Sequence, residues 1–223
     1  MSLSRALSRL ALPALVLALG ACSGRAPFIA GEEPWRAEEE RACLAAGVVR
    51  ESPFVEARAS LGGLSACGAI RPFTVAAAAG GSVHMRPPAL LRCPMVPAVD
   101  RWVERVVQPA ARYYLRARVV ELKVAASYSC RSKNHAWGAR LSEHGHANAV
   151  DISAFVLADG RTVAVKTGWW GALAERGFLR AVHAGACDVF TTVLGPGYDA
   201  NHRDHFHLDL ARHGRDGETR ICR

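Results

Sequence analysis

The feature that most constrains this chain is an export signal at its N-terminus, because export decides the redox state of the cysteines that follow. The first 22 residues carry Arg5 and Arg9, then the apolar run 10–21, and end at Cys22. A run of about 12 apolar residues is too short for a membrane-spanning helix, which needs roughly 20, and is typical of a secretory signal. We therefore expect the mature chain to fold in an oxidising compartment.

Six of the seven cysteines lie beyond this signal, and an even set in an exported chain predicts disulfides. Six cysteines allow 15 connectivities, among which we expect a bridge between Cys130 and Cys187. No CxxC pair is present, which argues against a zinc ribbon and against a thioredoxin-type redox site. The six are Cys43, Cys67, Cys93, Cys130, Cys187 and Cys222.

The residues that end the signal, Leu19-Gly20-Ala21-Cys22, resemble the lipobox of bacterial lipoproteins. The resemblance implies that cleavage leaves Cys22 as the new N-terminus and that its thiol receives diacylglycerol, so that lipid anchors the protein to a membrane. Ser23 in place of aspartate resembles the outer-membrane sorting pattern of Gram-negative bacteria. The alternative is an ordinary signal peptide with an incidental cysteine.

Length and composition predict one compact domain, which the lipobox resemblance implies to lie in the periplasm. The chain has 223 residues, 50% of them hydrophobic, enough for one good core. The formal charge of +8 falls to +6 when Arg5 and Arg9 leave with the signal. A basic surface suits an acidic envelope polymer or an anionic lipid face, with solubility alone as the alternative, and nucleic acid is not expected as a partner outside the cytoplasm. We expect a signal peptide over residues 1–21, a lipid-anchored tether over 22–40 and the folded domain over 41–223.

The hydrophobic pattern indicates an α+β fold with a mainly antiparallel central sheet, flanking helices and disulfide stabilisation. Residues 48–92 look irregular, with one or two short strands. The pattern predicts a short helix over 35–47, an amphipathic helix pair or one kinked helix over 98–117, and another helix over 170–190. Strands are predicted at 119–130, on both sides of the hairpin signal Asp159-Gly160, and at 205–211, where the last strand closes the sheet.

A short segment near the end of the chain, HRDHFHLDL, holds three histidines and two aspartates in residues 202–210. Because a strand turns alternate side chains to opposite faces, Phe206, Leu208 and Leu210 would face the core. His205 and His207 would then lie about 7 Å apart on the open face. One could bind a metal while the other reaches the open coordination position; a solvated polar face is the alternative.

A second polar segment, SEHGHANAVDIS, covers residues 142–153 and leads into a predicted strand. Its Gly- and Ala-rich turn would let a loop imidazole, His144, approach a strand carboxylate, Asp151. With a distant histidine these residues would give three protein ligands, which is the pattern of a catalytic zinc site with water in the fourth position. His146 is the rival of His144, and spacing alone does not decide between them.

These segments carry a family resemblance. Ser142-x-His144, Ala149-x-Asp151 and the later His205-x-His207 resemble the zinc site of the LAS metallopeptidases, which include D-alanyl-D-alanine carboxypeptidases and murein endopeptidases. The wider run resembles the bacterial extensin-like C-terminal family more closely still, from about residue 43 to residue 223. That resemblance rests on SYSCRSKN, SEHGHANAVDI, FLRAVHAGAC, TVLGPGYDANHRDHFHLD and the terminal ICR.

The LAS resemblance implies a ligand set of His144, Asp151 and His207 for Zn²⁺. It also implies that Arg131 orients the substrate carbonyl or carboxylate, for which a planar guanidinium is well suited; a surface arginine beside a disulfide is the alternative. Ala147 departs from the family pattern SxHxxGxAxD, and alanine would be strained if that position needs a positive φ.

The general base is open between two residues. The resemblance implies that His205 helps to activate water or to stabilise the oxyanion, and the parity of the strand supports it. Asp204 stands three residues before His207, as in the ExxH form of the family, but it would need a bulge to reach the ligand face. His202 is a possible substrate contact from the preceding loop.

The resemblance therefore implies a LAS-like fold and a zinc-dependent peptidase that cuts D-amino-acid-containing peptides of peptidoglycan, as a D,D-carboxypeptidase or an endopeptidase. One alternative is a zinc-containing wall-binding or scaffolding lipoprotein without turnover; another is a hydrolase of a different envelope amide or ester. No oligomeric state is predicted. The remaining marked residues have simpler expectations, namely core packing or a place before the helix for Trp169 and Trp170, ordinary roles for His183 and His213, and a solvated position for Glu143.

Overall fold

The computed structural model describes residues 28–31, 33–62 and 66–223. The predicted export signal and Cys22 lie outside the described residues. Within the described part of the chain, no helix has the length and apolar character needed to cross a bilayer.

The fold is built on one mixed sheet in which most strand pairs are antiparallel, so the predicted α+β class is confirmed. Its order is β1-β2-β3-β4-β5-β8-β7-β9, with β6 also paired to β5, and only the β3–β4 and β7–β9 pairs among these are parallel. The strands are β1 (Val55–Ala57), β2 (Phe73–Ala78), β3 (Val83–Leu91), β4 (Val119–Ala126), β5 (Ala149–Leu157), β6 (Thr162–Ala164), β7 (Thr192–Leu194), β8 (Phe206–Asp209) and β9 (Ile221–Cys222).

Helices lie before and between these strands. One long helical stretch begins at Met95 and ends at Leu115, and its backbone stays helical where α-type turns give way to wider π-type turns at Val103–Val107 and Ala111–Leu115. Of the two forms predicted for residues 98–117, a helix pair or one kinked helix, the structure therefore has the single helix. The α-helices are α1 (Pro34–Ala45), α2 (Met95–Trp102), α3 (Gln108–Ala110), α4 (Val165–Gly168) and α5 (Leu173–Ala186).

The core lies between the sheet and the helices α2 and α5. Trp102 is fully buried there, and its indole N–H donates to the carbonyl of Val182 at 3.2 Å. The same indole meets Phe155 and Phe190 edge-to-face, with ring centroids 6.1 and 6.2 Å apart. Such aromatic contacts add to simple burial, and they fix the helices on one face of the sheet.

Two expectations for the strands were wrong. Residues 48–92 contain the six-residue β2 and the nine-residue β3, which are interior strands of the sheet rather than irregular structure. Pro87 and Pro88 hide β3 in the sequence, and they lie where the β2–β3 register shifts, a position at which a strand tolerates the loss of a donor. The sheet does not end at β8 either, because β9 follows and pairs with β7.

Three disulfides fasten the loops, as the cysteine count predicted, but the expected Cys130–Cys187 bridge was wrong. Cys130 follows β4 and Cys187 follows α5, and the fold pairs each of them with another cysteine. The bridges are Cys43–Cys93, Cys67–Cys130 and Cys187–Cys222.

Removing Cys67 and Cys130 together should lower the free energy of unfolding markedly. Their bridge spans 63 residues, and the chain-entropy model assigns about 4 kcal/mol to a loop of that length. We expect Cys67→Ala/Cys130→Ala to lose about that amount in urea denaturation followed by circular dichroism. Alkylation of unfolded, non-reduced wild-type protein is the control, and labelling of Cys67 or Cys130 in it would contradict the bridge.

Candidate metal centre

The pairing of β5 with β8 places two predicted ligands side by side. Asp151 lies directly opposite His207 in this antiparallel pair. Their neighbours Ile152 and Phe206, also paired, point to the other face and are fully buried in the core. The alternation predicted for the last histidine-rich strand is therefore confirmed, with Phe206 and Leu208 inward.

His144 reaches the same point from a tight 3-10 turn, Glu143–His146, just before β5. The hydroxyl of Ser142 caps this turn by accepting from the backbone N–H of His144. Ala147 ends the turn in the left-handed region, with φ +50°. The positive φ that a glycine would favour is thus present, and alanine bears the strain there.

The three side chains form one compact cluster. Their ligand atoms all lie within 4.8 Å of one another, and among the described residues this is the one such group of potential metal ligands. Nε2 of His144 lies 3.2 Å from Oδ2 of Asp151 and 3.2 Å from Nδ1 of His207. Nδ1 of His207 lies 2.9 Å from Oδ1 of Asp151. Donor atoms around a tetrahedral zinc are about 3.3 Å apart when the bonds are 2.0–2.1 Å, so the spacing fits that ion.

The outer nitrogen of each imidazole is already used. Nδ1 of His144 lies 2.6 Å from the carbonyl oxygen of Ser127, which can only accept, so this nitrogen carries the proton. Nε2 of His207 lies 2.8 Å from the carboxylate of Asp209 and donates to it in the same way. Nε2 of His144 and Nδ1 of His207 therefore face the centre, which is how ligating histidines are usually oriented.

The contacts within the cluster favour positive charge at its centre. Burial alone would raise the pKa of Asp151, yet its contacts with His144 and His207 hold that pKa well below its usual range. Burial lowers the pKa of His207, but the hydrogen bonds with Asp151 and Asp209 outweigh it and raise the value to about 10. A proton on Nδ1 of His207 lies within hydrogen-bond distance of both Asp151 and Nε2 of His144, and a metal ion at the same point could be bound by all three side chains.

A further layer of hydrogen bonds supports His207. Asp209 also accepts from the backbone N–H of Ala211 at 2.9 Å and interacts with the side chain of Thr192, its register partner on β7. The Thr192 hydroxyl lies 2.7 Å from Nε2 of His213. The sequence did not predict this contact of His213, because Thr192 and His213 come from segments that only the tertiary structure brings together.

His205 and Asp204 meet at the edge of the cluster. Nε2 of His205 lies 3.7 Å from Oδ2 of Asp151, and its Nδ1 lies 2.9 Å from the largely exposed carboxylate of Asp204. His202 is more buried, and its Nδ1 lies 2.7 Å from Asp199. Burial lowers the pKa of His202 although the hydrogen bond with Asp199 opposes this, so the ring is neutral at neutral pH. Each ring therefore has a carboxylate partner on Nδ1, and no hydrogen bond among the described residues reaches its Nε2.

The three residues of the cluster, together with His202 and His205, line a cavity of about 390 Å³ that opens to solvent. Arg131 is part of its wall, and Nη1 of Arg131 donates to the carbonyl of Ser132 at 3.3 Å. Nothing that the structure describes pairs Arg131 with a carboxylate. Asp204 does not line this cavity. The wall includes Arg131, Lys133, Asn134, His135, His144, Asp151, Thr192, Tyr198, His202, His205, His207 and His213.

A buried ion pair holds the turn that carries His144. Glu143 accepts from Nη1 of Arg36 at 2.6 Å and from Nη2 at 3.0 Å, and also from the amide of Asn148 at 2.6 Å. The prediction of a solvated Glu143 was therefore wrong, because α1 covers it. His146 lies on this side of the turn, near Arg36, where burial first and that cation second lower its pKa to about 4. It is His144, not His146, that reaches the cluster.

The two tryptophans divide between core and surface. Trp169 is buried against Phe206, with ring centroids 5.7 Å apart, which matches the expected packing. Trp170 is largely exposed. The guanidinium of Arg180 covers both rings, at 3.9 and 5.1 Å from their centroids.

A family model described as extensin-like protein C-terminus matches residues 41–223. The matched part contains every residue of the cluster and of the cavity wall. Neither a curated protein nor a solved structure matches the chain significantly.

Removing Arg36 should destabilise the protein because it leaves Glu143 buried and without its cation. Breaking one side of a buried pair typically costs about 3–5 kcal/mol, so we expect Arg36→Met to lower the free energy of unfolding by about that amount. Arg36→Met/Glu143→Gln should recover most of it, since glutamine can still accept from Asn148. Urea denaturation measures both variants. Arg41→Met, an exposed change on the same helix, is the control, and an equal loss in that variant would contradict the ion-pair explanation.

Proposed function

The chain belongs to the extensin-like protein C-terminal family, and we propose that it is a zinc-dependent peptidase of the bacterial envelope. Its substrate would be a peptide of peptidoglycan that contains D-amino acids, cut at a terminal residue or at a cross-link. The proposal includes a lipid anchor at Cys22 that holds the domain on the periplasmic side of a membrane, by the lipobox resemblance.

One observation carries this proposal. Three acceptors, on His144, Asp151 and His207, converge at the wall of an open cavity while their outer hydrogen bonds are already made. The same residues are those implied by the resemblance to the LAS peptidases. A set of two imidazoles and one carboxylate suits zinc better than calcium or magnesium, which prefer oxygen ligands throughout.

The residues present fit zinc, and His144, Asp151 and His207 would hold it. Zinc in such a three-ligand site lowers the pKa of water to about 7 and polarises a carbonyl group. Asp209 keeps the proton of His207 on Nε2, so that Nδ1 stays available to the metal, and Thr192 and Ala211 hold Asp209 in place. This arrangement fixes ring orientation before any ligand arrives.

His205 is the best-placed general base. Its Nδ1 donates to Asp204, which leaves the lone pair of Nε2 directed to the cavity side of the cluster. A base oriented by a carboxylate partner is the usual construction for proton transfer. Asp204 is then a positioning residue for His205 rather than the base. His202, held by Asp199, is built in the same way and faces the same space, so it is the second residue to test.

Arg131 would orient the substrate. It lies in the cavity wall within the segment that the Cys67–Cys130 bridge anchors, and its guanidinium can donate two parallel hydrogen bonds to a carboxylate or peptide carbonyl. The cavity walls around it exclude bulk water from part of the bound peptide. The chemistry that results is hydrolysis of an amide bond.

Metal analysis of purified variants tests the centre directly. We expect one zinc per wild-type chain and its loss in His144→Ala and in His207→Ala. Asp209→Asn should weaken zinc affinity about 10–100-fold, because an amide can donate to Nε2 and so leave the proton on Nδ1. His84→Ala, an exposed histidine outside the cluster, is the control. A correctly folded wild-type protein that binds no zinc would refute the ligand assignment.

Digestion of purified muropeptides tests catalysis separately from metal binding. His205→Ala should keep its zinc and lose at least about 100-fold in cleavage rate, the typical contribution of a general base. Mass spectrometry of the products shows whether D-alanine is released or a cross-link is cut, and His84→Ala should cleave like wild type. Zinc binding without cleavage of any muropeptide would favour the alternative, a wall-binding lipoprotein without turnover. An unaffected His205→Ala with an inactive His202→Ala would move the base to His202.

A further inference from the structure

One wall of the cavity is a hairpin-like flap, residues 131–142, whose outer side has no role in the proposed chemistry. The flap is closed by a backbone bridge between Ser132 and Leu141 and by the hydrogen bond from Lys133 N to Arg140 O at 2.9 Å. The chain just after the tether adds to its edge. Ile29 donates to the carbonyl of Ala139 and accepts from the N–H of Leu141, both at 2.9 Å.

The outer side of the flap is both apolar and basic. Ser132 and Leu141 are buried, so alternation turns the next residues, Lys133 and Arg140, to the opposite, exposed side. Ile29 is bridged to Arg140 and is 61% exposed. Trp137 lies in the turn of the flap and is 75% exposed, the largest aromatic surface of the flap.

The charge of this side is positive on balance. Glu33 lies 3.1 Å from Arg140, but the same carboxylate also pairs with the buried Arg36 and so does not neutralise both cations. Within the described part of the chain, Lys133 has no ion-pair partner. Exposed tryptophan, an aliphatic side chain and cations together are the composition of surfaces that lie at the interface of a bilayer with anionic lipids.

The N-terminal chain leads to this same side. Six residues lie between Cys22 and Ile29, and the seven Cα–Cα steps of this segment reach at most about 25 Å when fully extended. A lipid on Cys22, which is part of the proposed function, would therefore hold the flap close to the bilayer. Electrostatic attraction to anionic headgroups acts within about one Debye length, roughly 8–10 Å. The short tether lets the flap approach the headgroups to within that distance.

We propose that the outer side of the flap, formed by Ile29, Lys133, Trp137 and Arg140, docks on an anionic phospholipid surface. The inference rests on the lipid anchor of the proposed function and adds an orientation to it. Lys133 lies at the edge where this side of the flap meets the cavity wall, and Asn134 and His135 follow it in that wall. Docking would therefore set the cavity mouth beside the bilayer. The peptides within reach are then those of the peptidoglycan layer nearest to the membrane.

Fluorescence quenching in proteoliposomes tests the docking. The full-length, lipid-modified protein is reconstituted into vesicles of phosphatidylethanolamine and phosphatidylglycerol that carry brominated acyl chains. We expect quenching of tryptophan emission that Trp137→Phe removes and that the matched change Trp170→Phe, at an equally exposed tryptophan, leaves in place. Vesicles without phosphatidylglycerol should quench less.

Charge variants give a second readout in the same vesicles. Lys133→Gln/Arg140→Gln should reduce the quenching of Trp137 severalfold, since each basic residue near an anionic surface contributes measurably to binding. Arg112→Gln/Arg118→Gln removes two exposed cations elsewhere and should change nothing. Equal quenching in wild type and Trp137→Phe, or none in either, would overturn the docking.

The same samples separate this inference from the proposed function. Mass spectrometry reports the lipid on Cys22, and muropeptide digestion in detergent reports the peptidase without a membrane. If the protein is lipid-modified and active but the emission of Trp137 is not quenched, only the docking proposal is refuted. If the chain carries no lipid, the anchor and the docking are both refuted. The peptidase proposal is then tested by muropeptide digestion alone.

Discussion

Three side chains meet at one point of this structure, and many of the surrounding contacts hold them there. Nε2 of His144, Nδ1 of His207 and the carboxylate of Asp151 face one another, because the outer nitrogen of each ring is bound to another group. The carboxylates of Asp151 and Asp209 favour positive charge at this point and raise the pKa of His207. The arrangement therefore suits a cation, which all three side chains could bind at once.

Three layers of structure keep them together. The β5–β8 register sets Asp151 opposite His207, so the sheet itself fixes two ligands. Asp209 and Thr192 then hold the ring of His207 from behind. The third ligand, His144, stands on a short turn that has little regular structure of its own, which is why its support is a buried ion pair from α1 and two disulfide-fastened loops. Ala147 adds strain to that turn without displacing the ligand.

Much of the site was accessible from the sequence, because the side-chain period of a strand is fixed. Parity placed His205 and His207 on one face with Phe206 on the other, and the same rule could have identified Asp209, two residues after His207. Parity also made Asp204 the weaker base, and the structure places its carboxylate on His205 instead of in the cavity. The pairing of Glu143 with Arg36 was inaccessible, since 107 residues separate them and no local pattern marks either one.

The sequence by itself determined the α+β class, the long helix, the hairpin at Asp159-Gly160 and the presence of an even set of bridging cysteines, because these follow from local periodicity, turn chemistry and counting. Only the folded chain shows which cysteines pair, that β2 and β3 are interior strands of the sheet, and that His144 rather than His146 faces the cluster. Those outcomes depend on contacts between segments far apart in the chain, whose free energies are set by packing and burial. A local sequence pattern carries no information about them.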